Sequence, residues 1–278
     1  MRKNELARPI LKWVGGKRQL LPALVPLLPK RFSSYCEPFL GGGAVLFSLQ
    51  PQKAVVNDVN ADLIDLYKVI RDDVDGLIRE LSSHRNTEAH FYKVRDWDRD
   101  KRYYSSLSQV KKAARLIFLN KTCYNGLFRV NSAGEFNTPF GHYKNPSIIN
   151  VPTLRAVSNY FNKADISFFS KDYSEVIESL PRGTFVYLDP PYDPVSDSAS
   201  FTGYTKGGFS QQDQILLKEC CDRLNERGIK FMLSNSATEF IKEQYGAYDI
   251  KIVRAIRAVN SKVEGRGAVE EVVVRNYE

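Results

Sequence analysis

The stretch Phe185-Val186-Tyr187-Leu188-Asp189-Pro190-Pro191-Tyr192 decides how the rest of the chain reads: an unbroken apolar run ends in an acid, two prolines and a tyrosine. The run has the length of a buried strand, and the prolines allow neither ladder pairing nor helix beyond it. The backbone therefore leaves a sheet and stops in a rigid loop with Asp189 and Tyr192 at its mouth. A carboxylate, a prolyl carbonyl and an aromatic face together suit a flat, nitrogen-bearing ring that carries an exocyclic amine. Asp189 and the Pro190 carbonyl can each accept one amine hydrogen while the ring lies on Tyr192. The plain alternative is a strand that ends at an Asp-Pro turn, which proteins use constantly.

Toward the start, the stretch from Ser34 to Leu49 reads as a short strand, a glycine-rich turn that begins with Glu37-Pro38-Phe39 and carries Gly41-Gly42-Gly43, and an amphipathic helix. A second apolar strand, Ala54-Val55-Val56-Asn57, ends at Asp58. That is half of a mononucleotide-binding unit, with close backbone approach at the first turn and an acid at the second strand end. A nicotinamide site would need a small residue three beyond Gly43, where Leu46 stands. Earlier still, Trp13-Val14-Gly15-Gly16-Lys17 reads equally as a lid over a small charged ligand or as an ordinary glycine-capped loop.

From Asn60 the pattern turns helical and charged, with a last helix over Gln109 to Asn120 whose Val110, Ala113, Ala114, Ile117 and Phe118 share a face. The charge run Asp96 to Arg102 reads as solvated surface with no role. Residues 120–144 alternate polar and apolar on both sides of Ser132-Ala133-Gly134, the pattern of a hairpin that presents Arg129 with Tyr124 at its base. Such a ribbon fits the DNA major groove, although a surface hairpin with incidental basic residues reads the same way.

After Pro152 the α/β rhythm returns: a helix over 153–162, a strand over 166–170 with Asp172 just past its end, and a helix to Leu180. Beyond the Asp-Pro-Pro-Tyr loop, Asp193 to Phe209 reads as a mobile flap carrying Phe201 and Tyr204. A helix over 211–227, a strand over 231–234 and two apolar runs, 250–256 and 269–274, complete the sheet. Between those runs Arg254, Arg257, Lys262 and Arg266 read as a phosphate contact or as a solvated basic loop. The acids and glycines after Glu37, at Asp58, at Asp172 and at Asp189 then stand on one edge of a parallel sheet, where open α/β folds bind their ligands.

The formal net charge of +8 favours a polyanionic partner. Cys36, Cys123, Cys220 and Cys221 form no CxxC pair and there are three histidines, so neither a disulfide framework nor a metal site is expected. No apolar run is long enough to span a bilayer and the polar start is no secretory signal, so the chain reads as soluble and cytoplasmic, with no membrane partner.

Taken in order, Trp-x-Gly-Gly-Lys, Glu-Pro-Phe-x-Gly-Gly-Gly, Asn-Asp-x-Asn, Tyr-Asn-Gly-Leu-x-Arg with Phe-Asn-x-Pro-Phe-Gly, and Asp-Pro-Pro-Tyr closely resemble the Dam-type DNA adenine-N6 methyltransferases, essentially from end to end. The resemblance implies an α/β fold: a Rossmann-like methyltransferase sheet, its last strand antiparallel, interrupted by a helical and β-hairpin target-recognition domain. The expected division is 1–60 and 150–278 for the catalytic domain and 61–149 for recognition. S-adenosylmethionine is the implied cofactor, leaving as S-adenosylhomocysteine, with Trp13, Lys17, Glu37, Phe39, Gly41, Asp58, Asp172 and Asp189 around it. Asp189, Pro190 and Tyr192 are the implied catalytic residues, and Lys12, Tyr124, Asn125, Leu127, Arg129, Pro139 and Tyr143 match DNA-facing positions.

The implied substrate is double-stranded DNA, with the hairpin resembling that of GATC readers. Relatives with longer AT-containing sites share much of this hairpin. A restriction endonuclease cutting the same site is an implied partner. Rival readings are a methyltransferase of RNA or of a protein amide, and a non-catalytic DNA-binding module; the intact Asp-Pro-Pro-Tyr loop speaks against the latter.

Overall fold

The computed structural model describes residues 3–194, 208–256 and 268–278, with side chains 255, 256, 268 and 269 excepted. Phe201 and Tyr204 of the expected flap, and Arg257, Lys262 and Arg266 of the basic loop, lie outside the described residues.

Seven strands form one sheet: β1 (Ser34–Glu37), β2 (Lys53–Asn57), β3 (Asp165–Phe169), β4 (Thr184–Leu188), β5 (Lys230–Ser236), β6 (Asp249–Ile256) and β7 (Ala268–Arg275). Their order is β3-β2-β1-β4-β5-β7-β6. The first five run parallel, and β7 is inserted antiparallel between β5 and β6. β4 is central and buried at all five positions, which is why its sequence is a continuous apolar run rather than an alternating one. Its side chains still alternate. Phe185 and Tyr187 join a core with Tyr35, Val56 and Met232, while Val186 and Leu188 join a second core with Cys36, Phe231 and Leu233.

The helices in chain order are α1 (Leu21–Leu24), α2 (Ala44–Leu49), α3 (Ala61–Asp72), α4 (Val74–Ser82), α5 (Glu88–Arg95), α6 (Lys101–Ser106), α7 (Gln109–Thr122), α8 (Val151–Lys163), α9 (Tyr173–Glu178), α10 (Gln211–Glu226) and α11 (Glu239–Gln244). α3 begins where Asn60 accepts the Leu63 N–H, and α7 where Ser108 accepts the Lys111 N–H, which satisfies donors that a bare helix end leaves unpaired. Leu63, Ile64, Leu66, Tyr67 and Ile70 of α3 pack into the same core as the sheet, so the inserted helices are rooted in it. A third core, with Phe91, Val94, Phe118, Leu119, Phe136 and Phe140, lies wholly between residues 91 and 140.

Three local expectations are corrected. The run 96–102 is not simply solvated: Asp98 is 5% exposed, its Oδ2 lies 2.6 Å from the Arg115 guanidinium and it also pairs with Arg99. Asp98 Oδ2 accepts the Phe136 N–H at 2.8 Å, and Arg99 donates to the Phe136 carbonyl at 2.6 Å. Buried charge is tolerated there because it is paired and bonded. The hairpin, secondly, has no regular ladder, only isolated antiparallel bridges Cys123↔Phe140 and Val130↔Phe136. Backbone bonds join the two arms where the Asn131 N–H donates to the Glu135 carbonyl, the Asn137 N–H to the Arg129 carbonyl and the Tyr124 N–H to the Pro139 carbonyl. Asp98 and Arg99 bind the outward-facing backbone groups of Phe136, and Asn131 Oδ1 accepts the Ala133 and Glu135 N–H groups of the turn. Thirdly, the start of the expected flap is fixed: Asp193 is 4% exposed, its N–H donates to Asn235, and its carbonyl and carboxylate accept from Ser236 and Thr238.

Candidate functional site

Because β2, β1 and β4 are parallel neighbours, the turns after Glu37, Asn57 and Leu188 emerge at one sheet edge. Asn57, 1% exposed, ties this edge together: its Nδ2 donates to the Pro38 and Lys171 carbonyls and its Oδ1 accepts the Lys171 N–H. Asp58 Oδ2 accepts the Gly41 N–H at 2.8 Å and Asp58 Oδ1 the Asn60 N–H at 3.0 Å, which draws the glycine turn onto the end of β2. Gly41 has φ of +48°, and a Cβ there would stand 2.9 Å from Trp13 Cδ1. The Trp13 ring therefore lies directly on the turn, and no other residue fits beneath it.

Glu37 is 2% exposed, and its Oε2 accepts both the Tyr35 hydroxyl at 2.8 Å and the Leu46 N–H at 3.1 Å. Burial pushes its carboxyl up to about 8, opposed by the Tyr35 hydrogen bond and reinforced by Asp189 and Asp58. Burial also raises Asp58. Phe39 packs against Tyr173 at 5.0 Å and Phe209 at 6.2 Å between ring centroids, an aromatic wall beside these acids. Asp172 stands at the same edge after β3 but is exposed, and its carboxylate caps α9 through the Ser174 N–H.

At the end of β4, Asp189 Oδ1 lies 2.7 Å from Lys17 Nζ, the two side chains being 18% and 5% exposed. Lys17 also donates to the Gly15 carbonyl at 2.7 Å and sits 4.5 Å over the centroid of the Tyr192 ring. Burial pushes Asp189 up to about 6, with Lys17 pulling it down and the Glu271 charge pushing it further up. The loop is held from behind by a polar network that the sequence alone does not reveal. Gln214 donates to the Pro191 carbonyl at 2.9 Å and accepts from Asn235 at 3.0 Å. Three acids, Glu37, Asp58 and Asp189, thus share a cleft that holds one ammonium among the described residues. Burial keeps Glu37 protonated near neutral pH, so the charge of this edge is set by Asp58 and Asp189 against the one Lys17 ammonium, an arrangement that fits a cationic ligand.

A second surface adjoins it. Asn120 accepts the Lys12 N–H and donates to the Lys12 and Gly126 carbonyls, joining the N-terminal segment to the turn that carries Tyr124, Asn125 and Leu127. Tyr124 donates its N–H to the Pro139 carbonyl. Arg129 Nε donates to Asn137 Oδ1 at 2.8 Å, which aims an exposed guanidinium. Lys12, Tyr124, Arg129, Pro139 and Tyr143 are all exposed, and the Tyr143 carbonyl accepts from Asn86. The Trp13 ring stacks on Phe128 at 5.0 Å, linking the glycine turn to this surface. Asn57 and Asn137 stand inside the Asn-Asp-x-Asn and Phe-Asn-x-Pro-Phe-Gly motifs with no role read for them, while Asn120, Gln214 and Asn235 carry no sequence signal beyond an amide side chain in a helix or strand.

A family model described as D12 class N6 adenine-specific DNA methyltransferase matches residues 13–259. The chain is 42% identical to the Type II methyltransferase M.MjaIII of Methanocaldococcus jannaschii, over 97% of this chain and 99% of the relative. It is 41% identical to the Type II methyltransferase M1.LlaDCHI of Lactococcus lactis subsp. cremoris, over 100% and 98% of the two chains. The DNA adenine methylase of Escherichia coli is 33% identical over 98% of this chain and 95% of its own length. With a sheet edge furnished by Glu37, Gly41, Asp58 and the Asp-Pro-Pro-Tyr loop, and a family match over nearly its whole length, this chain belongs to the D12 class of N6 adenine-specific DNA methyltransferases.

Proposed function

We propose that this enzyme methylates the adenine N6 of GATC in duplex DNA, and that the Asp189-Pro190-Pro191-Tyr192 loop holds the extruded base. The observation that carries the chemical assignment is the Lys17 ammonium, an amine that already rests 2.7 Å from Asp189 Oδ1 and above the Tyr192 ring. A loop that grips one amine in this way is suited to grip another once Lys17 withdraws.

S-adenosylmethionine supplies an electrophilic methyl group when bound. Trp13, Lys17, Glu37, Phe39, Gly41, Asp58, Asp172 and Asp189 are the residues we assign around it, and the excess of acid at this edge supports a cationic donor. Adenine N6 is a poor nucleophile because its lone pair is delocalised into the ring. The Asp189 carboxylate and the Pro190 carbonyl, which takes no hydrogen bond from the described residues, accept the two N6 hydrogens. That would favour a pyramidal nitrogen and offset the positive charge that develops as the N6–methyl bond forms, the methyl–sulfur bond breaks to leave a neutral thioether and one N6 proton is then lost to solvent, so the stabilisation grows toward the transition state. Extrusion of the base costs a few kcal/mol. Stacking on Tyr192 offsets about 1–3 kcal/mol of this.

Target choice we assign to residues 61–149 together with Lys12, and within them to Tyr124, Asn125, Leu127, Arg129, Pro139 and Tyr143. An Arg129 guanidinium aimed by Asn137 is suited to the bidentate reading of guanine. The names of the Type II relatives support a companion restriction endonuclease for the same site. The test is to incubate the full chain with labelled S-adenosylmethionine and unmethylated duplexes that carry GATC or single-base variants of it. Label on the adenine of GATC alone is the expected result. Methylation at a different or longer sequence overturns the GATC assignment, and label in RNA or protein but not DNA overturns the reading of the substrate.

A further inference from the structure

The loop that carries Tyr192 is fixed on both sides of that residue. Upstream, the Pro191 carbonyl accepts from Gln214; downstream, the Asp193 N–H donates to Asn235 and its carbonyl accepts from Ser236. Backbone bonds of this kind set where the Tyr192 Cα sits but leave its ring free to swing about χ1 and χ2. Two groups meet the ring: Lys17 Nζ lies 4.5 Å over its face, and at its far end the Tyr192 hydroxyl donates to Glu271 Oε2 at 2.6 Å, the directional contact of the two. Glu271 is 8% exposed and lies on β7, paired with Ser236 of β5 on one side and Val253 of β6 on the other. Its carboxylate is the hydroxyl's acceptor and stands on a strand paired on both sides. An apolar strand flanked on both sides has no structural need of a buried acid, and burying one is costly unless it is used.

We infer that Glu271 is a positioning residue for methyl transfer: it holds the Tyr192 hydroxyl and so sets the angle of the ring face on which the target adenine lies. The inference rests on the reading of Tyr192 as the base platform and deepens it. The charge-assisted bond is short and directional, so it fixes tilt as well as distance. A tilted base would present N6 off the line of attack, which lowers turnover more than binding because the duplex is held elsewhere.

The experiment compares full-length Tyr192→Phe, Glu271→Ala, Glu271→Gln and the double variant Tyr192→Phe/Glu271→Ala, each with S-adenosylmethionine and a cognate duplex. Tyr192→Phe and Glu271→Ala are each expected to lower kcat about tenfold, the worth of one bond to a charged acceptor, with KM for DNA and for the cofactor within about twofold. The double variant is expected to be no slower than either single one, because both remove the same bond. Glu271→Gln, whose amide oxygen still accepts, is expected to recover most of the rate. Multiplicative losses in the double variant, or wild-type kcat in Tyr192→Phe, overturn the inference. Should Glu271→Ala fail to fold, Tyr192→Phe and Glu271→Gln decide between the same outcomes. Tyr192→Ala separates the two levels of the reading. If it turns over normally, the platform itself is wrong; if it is slow while Tyr192→Phe is normal, the platform stands and Glu271 has no part in it.

Discussion

Lys17 Nζ lies 2.7 Å from Asp189 Oδ1 and 4.5 Å above the Tyr192 ring, so the acid proposed to accept the adenine amine is engaged by an amine from its own chain. Two consequences follow for pH. Asp189, held up at about 6 by burial despite Lys17, works only as a carboxylate, since its protonated form donates where it should accept. kcat/KM for DNA, which reports the free enzyme, is expected to fall about tenfold per unit below about pH 6. Removing Lys17 removes the group that pulls the pKa down, so in Lys17→Gln the acid limb of the profile moves to higher pH whatever happens to its height. An unmoved limb excludes Asp189 as its source.

On the proposed mechanism, Asp189→Ala removes an acceptor that strengthens as charge develops on N6. Loss of a single preorganised electrostatic partner typically costs about 10²–10³ in rate, and turnover is expected to fall at least that far. Duplex binding, measured by fluorescence anisotropy, is expected to hold, because Arg129 and its neighbours lie on a separate surface. Normal turnover by this variant sinks the assignment of the loop.

Discrimination between cognate and single-mismatch duplexes is expected to shrink in Arg129→Ala by about 1–3 kcal/mol, the value of one bidentate base contact. Asn137→Ala, which leaves the guanidinium in place but no longer aimed by the Asn137 Oδ1 acceptor, is expected to lose part of the same discrimination. Comparing methylation rates on matched duplex sets checks both. Identical selectivity in Arg129→Ala would remove the hairpin from target reading.

What the sequence discloses and conceals follows from where a residue's partners lie. β4 is legible because it is buried on both faces and so is written as four apolar residues in a row, Phe185 to Leu188, and the loop after it is legible because two prolines admit few conformations. Asp98 is illegible for the opposite reason. It stands among like-looking charges, and its partners Arg115 and Phe136 are 17 and 38 positions away, brought to it only by α7 and the hairpin. The hairpin's alternation is real, but alternation does not reveal that Asp98 and Arg99 hold its outer edge at Phe136 or that Asn131 closes its turn. Glu271 did leave a trace: with Glu270 it interrupts the apolar run of β7, and an acid at a position that faces the core is a sign of use.

Asp98→Ala is expected to destabilise the protein by about 3–5 kcal/mol, the usual consequence of leaving one member of a buried ion pair alone. Arg115, also 5% exposed, would lose its carboxylate, and the Phe136 N–H its acceptor. Denaturant titration checks the magnitude. A change below about 0.5 kcal/mol, the range of an ordinary surface substitution, returns residues 96–102 to the solvated surface.

The final prediction concerns His84, whose ring stacks 4.5 Å from that of Phe118 at 10° and whose Nδ1 lies 3.0 Å from His90 Nε2. Its Nε2 is buried and takes part in no hydrogen bond among the described residues, so a charged imidazolium would bury one N–H without an acceptor. Burial first, and the neighbouring His90 second, push its pKa down to about 4 from the usual 6.5. The unfolded chain therefore binds this proton at a higher pH than the folded one does. The stability that neutral His84 contributes is complete above about pH 6.5 and is lost as the pH falls from there toward about 4. Glu37 and Asp189, raised to about 8 and about 6, act in the opposite sense, since folding holds their protons more tightly and acid favours the folded state through them. The effect of His84 must for that reason be read as a difference. Urea unfolding at pH 7 and pH 5 is expected to show His84→Phe losing less stability than the native chain by about 1–2 kcal/mol, a figure reduced from the full shift because solvent reaches part of the ring. Equal losses in the two proteins would mean that the pair is protonated together without penalty, and that the stacked ring against Phe118 carries its charge in the folded state.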